Sequence, residues 1–350
     1  MKCNHHVLIG IAVLTLALFS PSAVLSQPSE QSTANPANEH HDNDQPVDAA
    51  KLHNPVLWHD PGNIAALDLY DGQGGKEGQP APPFKFESED MHGTNPKFDA
   101  RDANGTKWRV KLGDEARPEV VASRLLWAVG YFVNDDYVIA SARVEGLHLE
   151  RGDKLANGEQ IEEARFERRP DQEKKIGIWR WRENPFIGSR EFNGLRVMMA
   201  VMNNWDLKDV NNAVYSDKSL DRDILLTSDI GATFGTNGLS WTKDRSKGDV
   251  KTFQKSKFIT HQDDRVVDFG TPAPPVLLMA ANAKQYQMRR DLEWIGRGIA
   301  IADARWIGSL LKQLSHQQLV DAFRAGDFPA DEIDRYVAVV EDRIKELAAL

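Results

Sequence analysis

The run Asn203-Asn204-Trp205-Asp206-Leu207-Lys208-Asp209-Val210-Asn211-Asn212 places carboxylate and amide side chains between two apolar segments, Leu195 to Met202 before it and Ala213 to Tyr215 after it. A polar loop held at both ends by buried elements suits a site that needs a fixed base and oxygen ligands. The Asp206 carboxylate can accept a hydrogen bond from a hydroxyl and so orient it as a nucleophile. The amide oxygen of Asn211, or of Asn212 in its place, is the hard donor that a divalent cation prefers. Lys208 stands two residues past Asp206, where its ammonium can either neutralise a transferring phosphate or simply stay solvated. A second stretch, Ile224-Leu225-Leu226-Thr227-Ser228-Asp229-Ile230-Gly231, reads as a short apolar strand that delivers Asp229 at its end and then turns on a glycine. Either motif alone is also what an ordinary turn is made of, since turns favour Asn, Asp and Gly.

Upstream, Thr106-Lys107-Trp108-Arg109-Val110-Lys111-Leu112 alternates as a strand does, with Trp108, Val110 and Leu112 on one face and Lys107, Arg109 and Lys111 on the other. Glu119 follows in the first turn of a helix that Pro118 helps to open, and Glu115 is a competitor for the same role. A strand lysine with a helix glutamate is the pair that holds nucleotide phosphates in kinases. The segment Asp71-Gly72-Gln73-Gly74-Gly75-Lys76-Glu77-Gly78 is flexible enough for backbone N–H groups at Gly74 and Gly75 to approach a phosphate, although it fits neither a Walker A nor a Rossmann pattern.

Taken in order, Lys111, Glu119, Asn204-Trp205-Asp206, Asn211 and Asp229-Ile230-Gly231 resemble the atypical members of the protein-kinase-like superfamily, among them HipA-type kinases, spore-coat CotH kinases and phosphatidylinositol 3/4-kinases. The resemblance covers roughly residues 60–240. It implies a two-lobed α+β fold with a strand-rich N-lobe and a helix-rich C-lobe. It also implies ATP or another nucleotide as donor with Mg²⁺ or Mn²⁺, and a hydroxyl acceptor. Carried over residue by residue, Lys111 binds phosphate, Glu119 orients it, Asp206 is catalytic, and Asn211 and Asp229 hold metal. The absence of a His-Arg-Asp triplet sets the chain apart from the conventional eukaryotic type.

Other chemistries find less support. His59, His92, His148 and His261 are scattered without metal-ligand spacing, and Ser123 and Ser228 lack a G-x-S-x-G context. Cys3 is the only cysteine, so disulfides, thiolate zinc sites and cysteine nucleophiles are excluded from the body of the chain. A net charge of −9 argues against a nucleic-acid partner. Trp179 and Trp181 alternate around Arg180; core packing is the expected role, stacking on a sugar or peptide the alternative.

The elements that must position these residues are α+β in pattern. The chain of 350 residues is strand-rich to about residue 145, charged and loop-like over 151–185, and increasingly helical from Arg190. Leu195, Met198, Met199 and Met202 make one helical stripe, Ser315 and Gln318 form a capping box, and Ile333, Val337, Val340, Ile344 and Leu347 line the last helix. Residues 1–26, with an uncharged run from Val7 to Phe19, read as a signal peptide cleaved near Ser26-Gln27. The mature chain is then expected to be periplasmic or secreted, with no integral membrane segment. Residues 27–52 read as a disordered linker, 53–145 as the N-lobe and 146–350 as the C-lobe.

Three readings follow: an exported metal-dependent phosphotransferase, a non-catalytic binding protein on the same fold, and an unrelated α+β domain. The second expects Asp206 and Asp229 to point away from a common cavity, or side chains to fill the cleft. The third expects Lys111 and Asp229 to lie more than about 10 Å apart, beyond pairing through phosphate and metal.

Overall fold

Alternating apolar residues between Phe84 and Phe166 become the lining of a closed sheet. In the computed structural model, which describes residues 44–91, 95–169, 174–236, 247–271 and 276–350, the first strands are β1 (Phe84–Asp90), β2 (Lys97–Arg101) and β3 (Lys107–Lys111). After helix α1 (Ala116–Ala128) come β4 (Asp136–Glu145), β5 (Ala156–Asn157) and β6 (Gln160–Arg168). The strand order is β3-β2-β1-β4-β6-β5, and β6 pairs again with β3, which closes five strands on themselves. Phe84, Phe98, Trp108, Val110, Tyr137, Val144, Ile161 and Phe166 fill the interior as one buried cluster, as side chains do in small barrels. With Trp108, Val110 and Leu112 inside, the strand alternation forces Lys107, Arg109 and Lys111 outward.

Two expectations about boundaries are corrected. The first domain does not end at residue 145, because β6 pairs with both β3 and β4, Arg165 lying opposite Lys111 on one side and Val138 on the other. The charges of this strand look like those of a solvated loop, but Arg165 and Glu167 are only 2 % and 3 % exposed. The alternation is also broken: Ile161 faces in, then Ala164 and Phe166, with Glu163 between them at φ +49°. The second correction concerns the linker. Val47 N–H donates to Ile178 O, and Val56 bridges Ile224, so residues from 44 to 52 belong to the folded unit rather than to a disordered leader. Residues 1–26, and the rest of the linker to residue 43, lie outside the described residues.

The second half of the chain has its own apolar cluster. It contains β7 (Lys174–Gly177), α2 (Arg190–Val201), β8 (Asn212–Asp217), β9 (Arg222–Thr227), α3 (Val250–Lys255), β10 (Ile259–Gln262) and β11 (Val266–Phe269). These are followed by α4 (Val276–Ala281), α5 (Ala283–Arg290), β12 (Ile299–Ala300), α6 (Ile301–Leu311), α7 (His316–Ala325) and α8 (Ala330–Ala349). Strands β7-β8-β9 and β10-β11-β12 form two small sheets. The expected stripe of α2 is buried, the Ser315–Gln318 capping box opens α7, and Ile333, Val337 and Leu347 bury one face of α8. Trp179 and Trp181 pack edge-to-face at 4.9 Å and are buried, as expected of core residues. Helix α1 joins this cluster through Val121, Leu125 and Leu126 while also packing against β4 and β6. Among the described residues, no helix is long and apolar enough to cross a membrane.

Phe166 meets Phe84 at 4.8 Å and Trp108 at 6.2 Å inside the barrel. Phe166→Ala is expected to lower the stability by about 3–5 kcal/mol in urea titrations; a loss under about 1 kcal/mol would show an interior that is not close-packed.

Candidate functional site

The loop after α2 is shaped by its own amides. Asn203 takes a left-handed conformation at φ +53° and donates from Nδ2 to Gly235 O at 2.5 Å. Asn204 Oδ1 accepts the Asp206 N–H at 2.9 Å, a local turn that Asn favours. Trp205 N–H donates to Ala232 O at 3.1 Å, and Phe234 N–H to Met202 O at 2.8 Å. These bonds lace the Asp206 loop to the segment after Asp229. Asp206 then receives the Lys208 ammonium at 2.8 Å on one oxygen and the Arg289 guanidinium at 3.9 Å on the other. Asn211 donates from Nδ2 to Asp206 O at 2.5 Å, which fixes its amide beside the carboxylate's backbone. Asn212, the alternative ligand, spends its amide N–H on Trp179 O at 3.2 Å.

Strand β9 delivers Asp229 two residues past its end, at φ +45°. Gly231 follows against the head of α1, where a side chain would collide with Glu115 Cβ and backbone O. Glycine is therefore needed for close approach. Thr233 Oγ1 also donates to Pro118 O at 3.4 Å, so the turn after Asp229 is fixed to the helix that carries Glu119.

These two constructions meet at Lys111. Its Nζ lies 2.9 Å from Glu119 Oε2, 2.6 Å from Asp229 Oδ1 and 3.1 Å from Glu115 Oε2. Glu119 is itself held by Arg165 Nη1 at 2.6 Å, and Arg165 continues to Glu167 at 2.6 Å and Asp136 at 3.4 Å. Burial alone would strip the charge from Lys111, but Asp229, Glu119 and Glu115 outweigh it and hold the ammonium protonated, well above the usual lysine range. Burial likewise pushes the Asp229 carboxyl up, and Lys111 reverses the effect, leaving it far below the usual carboxylate range. Burial raises Glu119 to about 7 against the pull of Arg165 and Lys111. Asp229 remains 48 % exposed while Lys111 and Glu119 are 7 % and 1 % exposed, so the cluster opens to solvent on the Asp229 side.

Of the residues singled out in the sequence, Lys111, Glu119 and Asp229 are in direct contact. Asp206, Lys208, Asn211 and Asp229 line one small cavity together with Trp181 and Ser228. The separation between Lys111 and Asp229, 2.6 Å, is far inside the limit set for an unrelated domain. Gly74 packs on Asp135 Oδ2 and Tyr137 OH, a position that admits no side chain, and Gly75 has nothing within 4 Å of where one would begin. Gly74 thus serves close packing against Asp135 and Tyr137, and Gly75 takes a left-handed turn at φ +61° in open space. The connection that does reach the lysine cluster is the one between β1 and β2: Asn95 donates to Glu115 Oε2. Arg165, Asn95, Lys247 and Arg289 were not singled out by the sequence reasoning; Lys247 contacts Glu115 Oε1 at 2.5 Å. No motif marks them, and for Arg165 the one available signal was Phe166 beside it in a run too charged to resemble a strand.

No protein-family model matches the sequence, and neither does any curated protein. Among solved structures, the chain is similar to the crystal structure of a Helicobacter pylori proinflammatory kinase, CtkA, with a TM-score of 0.43 and 9% sequence identity, covering 76% of this chain and 96% of that one.

Behind Gly74, burial lifts the Asp135 carboxyl to about 6 against the opposing pull of Arg124 and of the Tyr137 hydroxyl, which donates to it at 3.2 Å. A pKa raised by folding contributes stability that is full below the ordinary value of 3.8 and is lost as pH climbs through about 6. Asp135→Asn, neutral and of similar shape, is therefore expected to gain on the parent protein from about pH 4 to pH 8, by up to roughly 3 kcal/mol. Urea titrations across that range check it, and parallel pH profiles would contradict it.

Proposed function

We propose that the protein is an exported, kinase-like phosphotransferase that uses a nucleotide and a divalent metal ion to phosphorylate a hydroxyl acceptor. The observation that carries this reading is the meeting of Lys111 with both Glu119, at 2.9 Å, and Asp229, 118 positions away in the chain, at 2.6 Å. A strand lysine, a helix glutamate and an aspartate before a glycine turn form the set that gathers donor phosphates and metal in kinases. The barrel with α1 then corresponds to the smaller lobe and the second apolar cluster to the larger. Export rests on the Val7 to Phe19 run alone.

The donor set fits a hard cation. Asp229 offers a half-exposed carboxylate, and Asn211 has its Nδ2 committed to Asp206 O, which leaves the amide oxygen as the free end. When bound, the metal would neutralise charge on the donor phosphates. The chain's own groups do the rest. Lys111 binds phosphate oxygens, and Glu119, anchored by Arg165, keeps the ammonium in place. Asp206 accepts the hydrogen bond of the acceptor hydroxyl and so aims its oxygen. Lys208, at 2.8 Å from Asp206, places a positive charge where the transferred group passes. Rate enhancement here comes from positioning and charge neutralisation. Asp206 and Asp229 share one cavity, as a catalytic role needs, while Lys208 and Lys111 close on their carboxylates, which a purely binding role would also allow.

Nucleotide with Mg²⁺ or Mn²⁺ is expected to raise the melting temperature, and Asp229→Ala to abolish that rise. Asp206→Asn is expected to keep the rise and lose transfer to a hydroxyl by at least about 100-fold. Absence of any shift with every nucleotide and metal pair would overturn the reading.

A further inference from the structure

A lysine ammonium has three N–H donors and no more. Here Glu115, Glu119 and Asp229 take one each, at 3.1, 2.9 and 2.6 Å, so Lys111 has no donor left for a phosphate oxygen. One carboxylate must withdraw before a donor can be held. Glu119 cannot readily do so, being fully buried and tied to Arg165 at 2.6 Å. Asp229 can turn toward a cation. Glu115 is the odd one: the lysine-and-glutamate pairing does not require it, yet it is built in. Its Oε1 meets Lys247 at 2.5 Å, its Oε2 accepts from Asn95, and its Cβ and backbone oxygen abut Gly231.

We propose that Glu115 is a resident competitor for the donor phosphate at Lys111, a positioning residue that sets how tightly the site takes a nucleoside triphosphate. The proposal rests on the phosphotransferase reading above. Glu115 can release Lys111 while keeping Lys247 and Asn95, so its charge is not stranded when the phosphate enters. Even then it stands within a few ångströms of the incoming anion, and like charges at that range in a partly buried site repel strongly. The consequence is a site whose affinity is held down by one carboxylate.

Calorimetric titration with the magnesium complex of a non-hydrolysable ATP analogue tests this on the parent protein and Glu115→Gln, which keeps the shape and removes the charge. The variant is expected to bind about tenfold more tightly. A merely structural role for Glu115 would weaken binding instead. Glu115→Ala, expected to act in the same direction, covers the case in which glutamine is not accommodated. Binding by the variant where the parent shows none would support the proposal most directly. Equal or weaker binding by folded variants overturns it and leaves the phosphotransferase reading intact, and so does loss of folding in both, which would make Glu115 structural. No binding by parent or variants overturns the phosphotransferase reading, and this inference with it.

Discussion

Burying charge on the outside of a barrel is the constraint from which the rest of this structure follows. The apolar faces of β3 and β6 point inward, so Lys111, Arg109, Arg165 and Glu167 must point outward, and α1 then covers part of that face. An uncompensated charge there would cost several kcal/mol. The chain answers with carboxylates supplied from elsewhere: Glu115 and Glu119 from the start of α1, Asp136 from β4, Asp99 from β2 and Asp229 from beyond β9. Most of this network is sealed. Among the carboxylates named here Asp229 is the half-exposed one, and that is where a ligand can enter into the same balance of charges.

The reach from one apolar cluster to the other depends on the backbone as much as on the charges. Asn203 and Asp229 both adopt left-handed conformations, and the hydrogen bonds from Trp205 to Ala232 and from Phe234 to Met202 tie the two polar segments together. Asp206 and Asp229 are thus presented by one laced unit. Gly231 lets that unit sit directly on the head of α1. The Lys111–Asp229 contact is the electrostatic part of an arrangement that packing has already brought within range.

Much of this was legible in the sequence where a local pattern set the outcome. The alternation around Trp108 put Lys111 on the outer face, Pro118 marked the start of α1, and the apolar runs on either side of Asp206 announced a loop held at both ends. What was not legible was pairing between distant charges. Residues 160–168 looked solvated because Arg165 and Glu167 find their partners on α1, β4 and beyond β6, which no local spacing reveals. The change of inward parity at Glu163 hid the strand as well. Gly74 and Gly75 show a further limit: flexibility is a local property, but what a glycine lets near it depends on the tertiary neighbours, Asp135 and Tyr137 at Gly74 and none at Gly75.

Val47 and Val56 stitch the beginning of the folded unit to Ile178 and Ile224, on the small sheet whose last strand leads to Asp229. Proteolytic trimming ahead of residue 44 leaves this seam whole. Trimming beyond residue 56 would bare the outer margin of β9, an unpaired backbone row of the kind that recruits other chains. The solubility of the body in this way depends on a short stretch, residues 44–56, that lies far in sequence from the charged cluster.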